Sequence, residues 1–570
     1  MPASQPLPPT LQTSWLGAET YPKNLMHRTI QTYQAPLGRV VERLDEVSPR
    51  LFKGDNELLD VPFRDLETGD GKEVSKKNVG SSLDVARWLK IETYRDRNYG
   101  TSQVVVSTSL RDPKCRLIYI FAENSRGRLK ISRQVLLQIL TFHQVMPAYL
   151  DFIQVFGQQD EQPDLRFSSF RHQTTIGLSL HHLAVPQLGR SGRQFQMCYN
   201  LKNVELKRRD EVNMLLNEWS IRQVAIHHQF DVVEGTTLWI LTKGGLDLHG
   251  RFKELIGKTA RPEDKSFGTV EECFRSSLSA HLLWCYWSMD DWNAYLKWIG
   301  AAVSEESDLA VLAPTREGSA HKHYRPDDVQ SLQRWQERAN QATMVLNSNI
   351  DIMQSLAAYY TRLTEDKDFE LRSRCSDDIQ AFLAQIGDIV QNLRTQLGRA
   401  SDIVKITQDR KELIIQHLQS QSADRMERLN RNMENEAVIV RIMTYIALIY
   451  LPATFVSTFF STDVVKYQNQ PGDEGSFSRL ALERWLEVTL PLTLVTVAFA
   501  WLWKRLAEKK RDVEGRLIGF SIVRSSHISQ PSTTQTRIGS TQLPAQNQQM
   551  YVSRQNTSQT LLPMHAHKLF

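Results

Sequence analysis

The hydrophobic pattern divides the chain into a mixed first part and a helical second part. From Ser102 to Phe121, two β-branched runs, Val104-Val105-Val106 and Leu117-Ile118-Tyr119-Ile120, flank Asp112-Pro113 and predict a strand pair. Between Ile131 and Phe156 the apolar positions (Val135, Leu136, Ile139, Leu140, Phe142, then Tyr149, Phe152, Ile153) have helical spacing, broken by Pro147. A second β region covers Gln196 to Tyr199, Ser220 to Val233 and Thr236 to Leu241. Glu234-Gly235 supplies an antiparallel hairpin turn. From Val270 to Ala302 an aromatic helical pattern follows, read as helix core. It closes an α/β domain placed at 81–308, behind a largely irregular segment at 1–80 and ahead of a linker at 309–326.

Beyond Asp327, Gly and Pro nearly vanish and long amphipathic stalk helices occupy 327–441. Three are predicted: Val329 to Thr364, Phe369 to Leu397, and one from about Ala400 into the apolar run. The acidic tip Glu365, Asp366, Asp368 and Glu370 separates the first two. Helix length without caps and the three-to-four spacing of Ile403, Ile406, Leu413 and Leu418 point to coiled-coil packing or a membrane-crossing helix.

Two apolar runs, 442–460 and 485–503, predict a C-terminal transmembrane hairpin. The first holds about 19 residues without a charge, and at about 1.5 Å per residue that is enough to cross a hydrocarbon core of about 30 Å. The second carries only Glu487 and ends in the basic flank 504–522, with Lys504, Arg505, Lys509, Lys510 and Arg511. Arg425, Arg428, Arg431 and Arg441 precede the first run, so basic residues bracket the hairpin and both termini are expected on the cytosolic side. No feature distinguishes the plasma membrane from an internal one. Two spans cannot enclose a pore, so conduction would need an oligomer. The face Val440, Met443, Ala447, Leu451, Thr454 and Thr458 continues through the first span at offsets of three and four. Its threonines have two readings, as hydrogen-bonding partners for the waters of a hydrated cation or as small residues packing helix on helix.

Composition narrows the field. The chain has 570 residues, 69 basic against 64 acidic, a mean hydropathy of −0.39, and 41% hydrophobic residues. A net charge of +5 spread over that length gives no sign of nucleic acid as a partner. The five cysteines are dispersed and fit a reducing compartment, and the first residues lack the basic and apolar regions of a secretory signal. Neither G-x-x-x-x-G-K-[ST] nor G-x-G-x-x-G occurs, so no nucleotide cofactor and no enzymatic activity are expected. His227 and His228 are strand neighbours facing opposite sides and cannot share one ion; His181-His182 sits in no metal-binding frame. The Ser-, Thr-, Gln- and Asn-rich segment 523–570 reads as a disordered tail.

The C-terminal hairpin, the long helix entering it, Tyr450-Leu451-Pro452-Ala453-Thr454-Phe455 and the closing Lys/Arg cluster resemble the CorA-like divalent metal ion transporters. Asp409-Arg410-Lys411-Glu412-Leu413-Ile414, Phe459-Phe460-Ser461-Thr462-Asp463-Val464-Val465 and Trp219-Ser220-Ile221-Arg222-Gln223 are similar to the fungal CorA-like transporter-domain proteins. The likeness is strong over 325–512 and moderate over the preceding domain. It implies an α/β cytosolic domain, a funnel of long helices, and a homopentamer whose first spans line the pore. Mg²⁺ is then the transported and a regulatory ion. By the same resemblance Val440, Met443, Leu451, Thr454 and Thr458 face the pore, with Met443 and Leu451 as constrictions, and the acidic tip approaches the basic ring. One departure stands out: Ser461, Thr462 and Asp463 replace the family's Gly-Met-Asn signature. A ring of Asp463 carboxylates would take the place of neutral amides and would be the metal-binding group at the mouth. The replacement leaves a second reading, a non-conducting membrane-anchored sensor or interaction protein on the same architecture.

Overall fold

The computed structural model describes residues 4–27, 34–66, 74–96, 103–123, 127–158, 165–177, 183–206, 219–243, 250–251, 266–311, 324–461 and 479–525. In chain order the strands are β1 (Gln5–Pro6), β2 (Val61–Leu66), β3 (Ser75–Val79), β4 (Ile91–Asp96), β5 (Gln103–Thr108), β6 (Cys115–Phe121), β7 (Phe170–Thr175), β8 (Gln194–Leu206), β9 (Trp219–Asp231) and β10 (Thr237–Lys243). The helices are α1 (Pro9–Leu16), α2 (Gln34–Leu51), α3 (Ser82–Trp88), α4 (Arg133–Phe142), α5 (Tyr149–Ile153), α6 (Val270–Met289), α7 (Trp292–Val311), α8 (Pro326–Glu365), α9 (Ser376–Ser461) and α10 (Arg479–Ser525). The chain forms two compact units, Met1–Arg425 and Met426–Phe570.

In the first unit a seven-stranded sheet runs in the order β3-β2-β6-β10-β9-β8-β7, parallel at β6–β10 and antiparallel elsewhere. The hairpin expected at Glu234-Gly235 is β9–β10. Gly235 takes φ +70°, a left-handed conformation that glycine adopts without a Cβ clash. Every residue of β6 is buried, because both sheet faces are covered. On one face Leu117, Tyr199, Ile226 and Trp239 pack with α6, α7, α8 and the first part of α9. On the other, Ile118, Cys198, Ala225 and Ile240 pack with α1, α4 and α5.

Alternation along β9 separates the adjacent histidines as their strand setting requires. His228 stacks on Trp239, with ring centroids 4.1 Å apart, and its Nδ1 lies 3.1 Å from Nε2 of His281 on α6. The other ring nitrogen of His281 meets the Tyr199 hydroxyl at 2.7 Å. His227 instead lies beside the Tyr149 ring, at 5.3 Å, on the opposite face. Burial pushes His281 and His227 down to about 3, and His228 is lowered by burial and by its two histidine neighbours.

Three sequence expectations are corrected. Residues 1–80 are not largely irregular: α1, α2 and β1 to β3 lie there, and β2 is an interior strand. Pro62 hides β2 from a sequence reading; it stands opposite Asn78 of β3, one residue before the β2–β6 ladder begins at Phe63. Strands β5 and β6 do not pair. β5 lies between β1 and β4 in a separate three-stranded sheet, while β6 takes β2 and β10. Between them Asp112 N–H donates to Leu188 O, and the Asp112 carboxylate receives Arg190 and Arg116. Finally, the second and third stalk helices are one 86-residue helix, α9, which passes through Gly398. A helical glycine costs only about 1 kcal/mol relative to alanine, and burial of Leu393 and Ala400 on either side outweighs it.

Candidate functional site

The second unit contains the two runs expected to cross a membrane. Both lie in helices long and apolar enough to do so, within α9 and, over Leu482–Leu506, within α10. Pro452 lies inside α9 and cannot donate to the Leu448 carbonyl one turn earlier. Pro452 and Val456, one turn apart, are the buried residues of the first span, while Thr489 is buried on α10. Trp485 Nε1 donates to Ser457 Oγ at 3.0 Å, tying the two helices near the connecting segment.

The face expected to line a path, Val440, Met443, Ala447, Leu451, Thr454 and Thr458, is exposed along its whole length in the single chain. Met443 is 64% and Leu451 70% exposed, as are residues on the other faces of the spans, such as Phe455 at 65% and Leu494 at 69%. Leu451, Thr454 and Thr458 form one wall of an open, mainly apolar groove whose other wall includes Leu492 and Thr496 of α10; its empty space is about 920 Å³. The Thr454 hydroxyl donates within its own helix, to Tyr450 O at 3.0 Å or Leu451 O at 2.9 Å. Thr458 donates to Thr454 O at 2.6 Å. With its single proton used on the backbone, each hydroxyl presents lone pairs outward as an acceptor.

Of the expected mouth residues, Ser461 is the last residue of α9 and is exposed, whereas Thr462 and Asp463 lie outside the described residues. Lys504 and Arg505 are exposed on α10, and the Arg505 guanidinium sits 4.8 Å over the Trp501 ring. Lys509, Lys510 and Arg511 continue the same helix. The expected tail lies outside the described residues beyond Ser525, and so does His181-His182.

The acidic tip belongs to the first unit, where it has a partner that the sequence did not suggest. Glu370 pairs with Arg193, the residue before β8, and Arg193 Nη2 also donates to Asp368 O at 3.0 Å. Arg193 is a surface-type residue by sequence, but its side chain is 8% exposed here, because Ile176 O accepts from its Nε at 2.9 Å. Among the described residues no three His, Cys, Asp or Glu side chains are arranged to hold a metal ion.

The family described as CorA-like transporters matches residues 13–311, just over half of the chain, and the chain belongs to that family. The match falls on the sheet domain, N-terminal to the segment in which the sequence resemblance is strongest. Membership supports divalent-cation transport as the general activity, in a family of transporters rather than enzymes. Together with the two apolar helices it makes this a membrane protein. Among solved structures, the complete CorA magnesium transporter from Methanocaldococcus jannaschii is similar, with 8% identity, a TM-score of 0.34, and coverage of 78% of this chain and 97% of that one. The full-length CmaX protein is similar at 12% identity and a TM-score of 0.31, over 80% of this chain and 99% of that one. No curated protein matches the sequence.

Proposed function

We propose that this protein carries divalent cations, Mg²⁺ before others, passively through a homopentameric path lined by the first span, with both termini cytosolic. The observation that carries the reading is the exposed face of that span ending in two threonines whose hydroxyls are left as acceptors. Waters bound to a cation point their hydrogens outward, so a ring of such acceptors suits a hydrated ion. Mg²⁺ sheds its water reluctantly and is the natural cargo. A potential of 100 mV supplies about 2.3 kcal/mol per charge, hence about 4.6 kcal/mol for a divalent ion, without a nucleotide. In this reading Met443 and Leu451 form apolar constrictions and Asp463 supplies carboxylates at the mouth.

The replacement of Gly-Met-Asn by Ser461-Thr462-Asp463 favours one competitor, a non-conducting sensor. Uptake by purified protein in liposomes under an inside-negative potential separates the two. Flux of Mg²⁺, Co²⁺ or Ni²⁺ that saturates with concentration supports transport. Absence of flux for all three, with a correctly assembled oligomer, replaces it with the sensor.

A further inference from the structure

The two flanks of the membrane hairpin differ in how their charges are answered. Ahead of the first span, residues 424–441 carry Arg425, Arg428, Arg431 and Arg441 against Asp424, Glu427, Glu434 and Glu436, four against four, and Arg431 donates to Glu427 at 2.6 Å. Behind the second span, residues 504–511 carry Lys504, Arg505, Lys509, Lys510 and Arg511 against Glu508 alone. The acidic tip that the family resemblance offers as a counterpart to this excess is already committed in part, since Glu370 pairs with Arg193 within the first unit.

Helix geometry sets the unanswered charges at one depth. α10 stays helical to Ser525, beyond the apolar stretch Leu482–Leu506. At about 1.5 Å per residue, positions 504 to 511 occupy about 10 Å of helix axis. The headgroup layer of a bilayer is about 5–8 Å deep on each side, and the screening length at physiological salt is about 8 Å, so the whole cluster feels the headgroups. Trp501 and Trp503, both exposed on α10, mark the start of that layer, where the indoles of spans gather.

Arg505 is fitted to the same depth. Its exposed side chain turns back one helical turn, and the guanidinium lies 4.8 Å over the Trp501 ring. The cation is thereby held at the height of the indoles instead of reaching out into water. Stacking uses one face of the guanidinium and leaves its N–H edge, which takes an oxyanion through two parallel hydrogen bonds. Successive residues are about 100° apart on a helix, so positions 504, 505, 509, 510 and 511 lie all round α10. Packing one side against any neighbour still leaves cations on the side that faces lipid.

We propose that this end of α10 binds the headgroups of anionic phospholipids, their phosphate oxygens received by the Arg505 edge and by the basic run at 509–511. Charge complementarity and depth select that occupant, because the cytosolic leaflet is the one that carries acidic lipid. The leaflet assignment rests on the cytosolic orientation of both termini given above, whereas the headgroup preference rests on the flank alone.

The test places the full chain in liposomes with spin-labelled phosphatidylserine or phosphatidylcholine and reads the motionally restricted fraction of each by electron paramagnetic resonance. Phosphatidylserine is expected to associate at least threefold more strongly at about 50 mM salt, with the ratio falling toward one at about 500 mM. Lys509→Gln, Lys510→Gln and Arg511→Gln combined should at least halve the ratio, and Arg505→Gln should lower it by itself, so the test survives if either protein assembles poorly. Arg428→Gln, which removes a cation from the balanced flank, should leave the ratio unchanged. A wild-type ratio near one, a ratio unmoved in both the triple and the Arg505 variants, or an equal loss in the Arg428 variant would each overturn the proposal, the charges then serving only to orient the hairpin. Mg²⁺ flux measured in the same vesicles keeps the two readings apart. Absent flux with a preserved ratio removes transport and supports headgroup binding, while flux with a ratio near one does the reverse.

Discussion

The indole of Trp485 on α10 donates to the hydroxyl of Ser457 on α9 at 3.0 Å. It joins the two apolar helices at the end where the chain connects them. In a hydrocarbon setting such a bond has few competitors, yet measured values average only about 0.6 kcal/mol, because the separated helices find other partners. Trp485→Phe and Ser457→Ala should each destabilise the hairpin by about that amount, with a coupling of similar size in a double-mutant cycle. Unfolding titrations in mixed micelles measure it. Strict additivity of the two changes would mean that the bond contributes nothing.

Thr454 and Thr458 donate their protons along α9 and turn their lone pairs outward. Thr454→Val keeps the shape and removes the acceptor, so Mg²⁺ flux in liposomes should fall by about tenfold, the equivalent of about 1.4 kcal/mol in the barrier. Thr454→Ser keeps the hydroxyl and should retain most of the flux. Should the valine variant conduct as well as wild type, the threonine is only packing.

Local pattern made some of this architecture legible. The two apolar helices, the β9–β10 hairpin and α8 all follow from residues adjacent in sequence or one turn apart, and their spacing is what packing reads. What could not be read is sheet membership. Val104-Val105-Val106 and Leu117-Ile118-Tyr119-Ile120 look like partners across a turn, and only the strands brought in from residues 61–66 and 237–243 show that β6 is already flanked. The Arg193–Glu370 pair is non-local in the same way. Arg193 alone looks like a surface group, and its burial becomes visible only when distant elements close over it.

Two buried histidines define an acid limit. His281 and His227 are pushed down to about 3 by burial, whereas an unfolded chain protonates them near the ordinary value of about 6.5. Below about pH 6.5 the unfolded state therefore binds more protons, and stability falls as pH falls, by about 1.4 kcal/mol per pH unit for each histidine, until the folded state protonates near pH 3. His227→Phe should flatten that slope by one proton, since phenylalanine fills the site beside Tyr149 without a titrating ring. Denaturant midpoints of the full chain between pH 7.5 and 5 provide the comparison. A slope equal to that of wild type would show that His227 protonates in the folded state.

Arg116 and Asp65 join the start of β6 to the end of β2 through two hydrogen bonds, 2.9 Å from Nε and 2.8 Å from Nη2, with both side chains buried. Among the described residues Asp65 forms its ion pair with Arg116, while Asp112 keeps Arg190 when Arg116 is lost. Arg116→Met therefore leaves a carboxylate at 5% exposure without its counter-ion, and removing one partner of such a pair costs about 3–5 kcal/mol. Asp65→Leu combined with Arg116→Met removes both charges and should recover most of that loss, because a buried ion pair and a well-packed apolar pair of similar size are nearly equal in stability. Arg116→Lys should fall between, keeping the charge but losing the two-pronged geometry. Thermal unfolding of the full chain followed by circular dichroism checks the order. A single variant losing less than about 1 kcal/mol, or a double variant no better than the single, would show that the pair does not hold β2 against β6.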